Sequence, residues 1–130
     1  MADHPNAEIL RRGLEAFAKG DLATVNEVLA DDVVWHVGGS SPLSGDYRGK
    51  EAVMGFFARL AEIAPPQMSI HDVAANDEHA IALVEMSAAK PGGDSIQQRA
   101  VHVYHVRDGR ATEAWFYNED QAALDAFWSS

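Results

Sequence analysis

The chain of 130 residues contains no cysteine. Disulfides, thiolate nucleophiles and zinc–thiolate centres are therefore excluded. Positive charge is scarce, with 10 lysines and arginines against 20 acidic residues and a formal net charge of −10. Such a field repels nucleic acid and anionic membranes, so neither is an expected partner. No apolar run approaches the length needed to span a bilayer. The opening residues MADHPNAEIL have neither the basic segment nor the apolar stretch of a secretion signal, so a cytoplasmic protein is expected. Gly38-Gly39-Ser40 lacks a following P-loop Lys-Ser/Thr, and no G-x-S-x-G surrounds any serine, so phosphate-cradle and nucleophile-elbow chemistry have no support. Among the histidines, His102 and His105 are close in sequence but alternate faces on a strand, so no metal and no cofactor are expected.

What is present is a globular composition, 47% hydrophobic, in one domain over residues 1–130. Pro5 suits a first helical turn, and Ile9, Leu10, Leu14 and Phe17 recur at helical spacing. Gly20 ends that helix and Asp21 caps a second, striped by Leu22, Val25, Val28 and Leu29. Val33 to Val37 reads as a strand, Gly38 to Gly45 as a loop, and Tyr47-Arg48 as a short extended piece. A third helix is expected from Lys50 to Glu62. Antiparallel strands are expected near Met68–Ala75, Ala80–Ala89, Ile96–Arg107 and Ala111–Asn118, with a closing helical turn over Asp120–Phe127. The class is α+β, with helices on one face of a sheet.

The last two strands flank Asp108-Gly109, a dipeptide that tolerates the positive φ of a tight hairpin. A two-residue turn sets Arg107 against Arg110 and His102 against Trp115. One face then carries His102, Tyr104, Glu113, Trp115 and Tyr117; the other carries Val101, Val103, Ala114 and Phe116. The first face has the mix of a pocket wall, apolar with a few convergent polar groups. A single bulge would exchange the faces. Both faces are substantially apolar while three helices cover one side, so a homodimer through the outer sheet face is expected.

In order along the chain, AFAKGDL, LADDVVWHV, SGDYRGKEAVMGFF and VYHVRDGRATEAWFYNED resemble the SnoaL-like (polyketide-cyclase-like, ketosteroid-isomerase-like) members of the nuclear transport factor 2-like superfamily. The resemblance implies a cone-shaped barrel. A strongly curved antiparallel sheet would carry three N-terminal-half helices on its concave face, with a pocket between. It implies less about chemistry, because this fold hosts enzymes, binding modules and adaptors. The ketosteroid isomerase pattern wants an Asp where Val34-Trp35-His36-Val37 stands and a Tyr in the first helix, which has none. The limonene-epoxide-hydrolase pattern wants an Arg and an Asp where Glu85 and Ser87 stand, and an Asp at Tyr117. The SnoaL-like cyclase pattern wants one Asp after the last strand, and Asp120 stands there.

The candidate proton carriers are therefore His36, His102 and Asp120. Histidine exchanges protons near neutral pH with little tuning; Asp120 serves equally as a helix cap. Trp35, Tyr47, Glu85, Tyr104, Glu113, Trp115 and Tyr117 are candidate ligand contacts. Salt bridges to Arg99 or Arg48 are the structural alternative for the two glutamates. The expected function is a cofactor-independent enzyme that moves protons on a small apolar organic molecule, by isomerisation, cyclisation, elimination or hydration. A binding module without chemistry uses the same pocket, and a structural dimer uses none.

Overall fold

The computed structural model describes residues 4–129. Helix α1 spans Pro5–Lys19 and opens on His4, whose Nδ1 accepts from the Asn6 amide at 3.1 Å. It stops at Gly20, which takes a left-handed φ of 76° that a side chain would disfavour. Asp21 caps α2, Leu22–Val28, through the Thr24 amide. Then follow β1 (Leu29–Val37), β2 (Gly45–Arg48), α3 (Lys50–Ile63), β3 (Gln67–Ala75), β4 (His79–Ala89), β5 (Ser95–Arg107), β6 (Arg110–Asn118) and α4 (Gln121–Ser129).

The six strands form one curved, unclosed sheet in the order β2-β1-β6-β5-β4-β3. The expected α+β class and the three N-terminal-half helices are present. Three features correct the finer expectation. The pairing of β1 with β6 is parallel, so the sheet is mixed. The closing turn is a fourth helix of nine residues. Leu29 also begins β1 instead of ending α2.

Helices and sheet enclose the core. On its inner face, Ala80, Ala82, Ala100 and Ala114 are buried, and their small side chains leave space above the strands. Aromatic rings fill part of that space: Trp35 meets Phe57 edge-on at 5.6 Å and lies 5.1 Å from Phe116. Offset and edge-to-face pairs of this kind add to plain burial. The end of β6 is tied back to β5 by Gln98, a buried amide bonded to both backbone polar groups of Asp120. No helix among the described residues is long and apolar enough to cross a membrane.

Candidate functional site: an apolar cavity with a buried histidine

The hairpin turn forms as its sequence dictates, with Asp108 at φ 53° and Gly109 at φ 75°, and with Arg107 opposite Arg110. The register then shifts. His105 faces Glu113 while Val106 faces Ala111, so Thr112 is the extra residue of a bulge. Its hydroxyl donates to the His105 carbonyl at 3.3 Å, which occupies an acceptor beside the break. A one-residue slip exchanges every side chain between faces. His102 therefore opposes Phe116, not Trp115. Ala114 and Phe116 turn inward with His102 and Tyr104, while Glu113, Trp115 and Tyr117 turn outward.

The inner face borders a cavity of about 170 Å³. An engineered apolar cavity of about 150 Å³ holds benzene, so this space suits a ring-sized molecule. Its walls are almost wholly apolar, with Trp35 and Phe116 from the sheet, Phe17 from α1, Phe57 and Leu60 from α3, and Trp128 from α4. His102 and Tyr104 are the buried titratable groups among them. His102 Nδ1 and the Tyr104 hydroxyl lie 3.2 Å apart. Burial pushes the imidazole down to about 4 and the phenol up, because an apolar surround disfavours both charged forms. Both are neutral at pH 7. Among the described residues, Nε2 of His102 has no hydrogen-bond partner. Among those residues no fully buried side-chain nitrogen or oxygen lacks one, so Nε2 is not sealed off, and His102 borders the cavity.

A polar chain borders the mouth. Asn118 Nδ2 donates to Gln121 Oε1 at 2.9 Å, and Gln121 Nε2 to Asp125 Oδ1 at 2.9 Å. Asp125 Oδ2 accepts from the Ser40 amide at 3.0 Å and from its hydroxyl at 3.3 Å. These bonds fasten the loop after β1 to α4. Gly39 permits the approach, since a Cβ there would stand 2.2 Å from Asp125 Oδ1 and its φ is 88°. Gly39 was legible only as a loop residue, and Asp125 carried no sequence signal.

The other sequence candidates lie elsewhere. His36 is on the outer face, stacked on Trp115 with ring centroids 5.1 Å apart. Its Nε2 is 2.6 Å from Glu113 and its Nδ1 is 2.8 Å from Asp46. The Glu113 bond, outweighing partial burial, raises its pKa. His105 reaches the same Glu113 at 3.4 Å. Glu113 is thus paired with histidines, not with Arg99 or Arg48. Arg99 pairs with Glu119, and Glu85 stands exposed opposite Arg99 in register. Asp120 caps α4 through the Ala123 amide at 3.0 Å. Tyr47 packs on Phe56 and donates to the Leu43 carbonyl at 2.7 Å, bracing the loop from behind. Of the ten sequence candidates, Trp35, His102 and Tyr104 border the cavity; His36, Asp120, Tyr47, Glu85, Glu113, Trp115 and Tyr117 do not.

A SnoaL-like domain matches residues 10–114 of the chain. An uncharacterized protein of Mycobacterium tuberculosis is 31% identical over 131 aligned residues, covering 99% of this chain and 100% of its own length. Bal32a, from a soil-derived mobile gene cassette, superposes with a TM-score of 0.90 at 29% identity, over 95% of this chain and 96% of its own. A protein of unknown function with a cystatin-like fold from Xanthomonas campestris gives the same TM-score at 26% identity, over 96% and 98%. The sheet, the helices above it and the domain match together place the chain in the SnoaL-like family.

Proposed function

We propose that the cavity binds a small, largely apolar organic molecule and that His102 moves a proton on it without a cofactor. The observation that carries this reading is a buried, neutral imidazole in the wall of an apolar space. A titratable group displaced far from its ordinary pKa inside a cleft marks functional sites. The hydrogen bond to Tyr104 couples the two groups. When the phenol donates to Nδ1, Nε2 carries the proton and can polarise a carbonyl. When Nδ1 donates to the phenol, Nε2 offers a lone pair. A second reading, a binding module without chemistry, draws support from the same low pKa, since an imidazole near 4 is a poor base at pH 7.

Acetophenone separates the two readings. It is a single-ring ketone whose methyl hydrogens exchange with deuterium in D2O, a reaction followed by proton NMR. Exchange accelerated about a hundredfold over buffer, the usual scale of acid–base catalysis, and lost in His102→Gln supports the enzyme. Saturable binding with exchange at the buffer rate makes the protein a binding module. No binding at all removes both readings.

The proposed working unit is a cytoplasmic homodimer joined through the outer sheet face. Ile81 and Leu83 are each 40% exposed and Tyr117 is 60% exposed. In register, Ile81–Val103–Trp115 and Leu83–Val101–Tyr117 form two apolar rows across three strands, a patch of the kind that monomers rarely leave open. Light scattering is expected to give twice the chain mass of 14.1 kDa. Ile81→Lys with Leu83→Lys is expected to return it to the single mass with the fold intact. A wild-type monomer at high concentration overturns the assembly.

A further inference from the structure

The outer surface is acidic on balance, but the cavity has a charge rule of its own. Among the described residues, none that borders it is a lysine or an arginine. Its deep polar groups, His102 and Tyr104, are neutral at pH 7. Among the described residues, Asp125 is the one carboxylate in its lining. Every hydrogen bond Asp125 receives comes from a neutral donor: Gln121 Nε2, the Ser40 amide and the Ser40 hydroxyl. Those bonds, the Gln121 bond first, hold its carboxyl below the usual range, so it is ionised at pH 7. Among the described residues no cation stands within ion-pair distance of it. An anion at the rim of an apolar chamber, fixed in place and without a counter-charge, favours a cationic ligand group and disfavours an anionic one.

We infer that Asp125 determines specificity: the cavity takes an apolar molecule bearing a protonated amine, its ring among the aromatic walls and its ammonium at the Asp125 carboxylate, and rejects carboxylates. The inference rests on the cavity being a ligand site and adds the class of ligand. The carboxylate keeps lone pairs for an N–H donor after its three protein bonds, since two ionised oxygens offer about four acceptor positions. A ligand carboxylate would meet no positive charge along the walls and would lie beside a fixed negative one. That combines repulsion with desolvation of an unpaired charge.

The test is a matched series of 2-phenylethylamine, 2-phenylethanol and phenylacetate, titrated calorimetrically at pH 7 into the wild-type protein and into Asp125→Asn. The asparagine retains the shape and an acceptor for the Ser40 amide. In the wild type the amine is expected to bind roughly three- to fivefold more tightly than the alcohol, as for a partly exposed ion pair. Phenylacetate is expected to bind at least about tenfold more weakly than the alcohol. In Asp125→Asn the amine advantage is expected to vanish while the alcohol affinity stays within about twofold, which shows the cavity intact. Phenylacetate binding as well as the alcohol, or an amine preference that survives Asp125→Asn, overturns the assignment and leaves the ligand site standing. Failure of even the neutral alcohol to bind overturns the ligand site itself, and this inference with it.

Discussion

Acidification from pH 6.5 to pH 4 is expected to remove up to roughly 3 kcal/mol of stability through His102 alone. The folded protein holds this imidazole neutral down to about 4, whereas the unfolded chain protonates it near its ordinary value. Between those limits the unfolded state binds more protons, so stability falls as pH falls. Below about 4 both states are protonated and the loss is complete. His36 acts in the opposite sense. Its folded pKa is raised by Glu113 and Asp46, so its contribution is full below about 6.5 and is lost as pH rises through the folded value. The wild-type acid curve is therefore a sum, and the comparison that isolates His102 is with His102→Gln. The glutamine keeps a hydrogen bond to Tyr104 and cannot titrate. Denaturant unfolding at pH 7, 5.5 and 4.5 is expected to show the wild type losing stability faster than the variant. Parallel curves would mean that His102 is not held neutral in the folded state.

The sequence revealed elements more readily than faces. The start and stop of α1, the cap of α2 and the hairpin turn depend on single residues with strong local preferences: Pro5, Gly20, Asp21, and the Asp108-Gly109 pair. The inward placement of Trp35 follows from alternation along β1, where Val33 and Trp35 are buried and His36 is partly exposed. The bulge at Thr112 had no such signature. Val101 through Tyr117 is apolar on both sides, so either register buries plausible residues, and the alternation cannot choose. The chain settles it by placing Phe116 against His102 and Tyr104 and sending Glu113 out to meet His36 and His105. Three of the proposed site residues moved with that one slip, Glu113, Trp115 and Tyr117, while His36 turns outward because it alternates with the buried Trp35 on β1. Asp125 was hidden for another reason. Its partners are Gln121, one helical turn away, and Ser40, 85 positions earlier, and no local pattern announces a contact of that span.

Trp35→Ala is expected to cost about 3–5 kcal/mol, the range for removing a large buried aromatic, and to lower the melting temperature on the order of 10–20 °C in a domain of this size. The indole is 7% exposed and touches three rings, Phe57, Tyr104 and Phe116. Its removal forfeits apolar burial and edge-to-face contacts, and leaves a void that the strand backbone cannot close. Trp35→Phe keeps a ring in place and is expected to cost less than half as much. The informative control is Trp115→Ala. Had the hairpin kept its simple register, Trp115 would line the cavity and its loss would resemble that of Trp35. On the outer face it stacks on His36 and meets His105 edge-on, and it is partly exposed. Unfolding measured at concentrations low enough to keep the chain monomeric is expected to show a cost of roughly 1–2 kcal/mol for Trp115→Ala, while the affinity for 2-phenylethanol stays unchanged. Trp35→Ala is expected to weaken that affinity, because the ring that packs against the ligand has gone. Equal losses of stability and affinity in the two variants would restore the unshifted register and return Trp115 to the cavity wall.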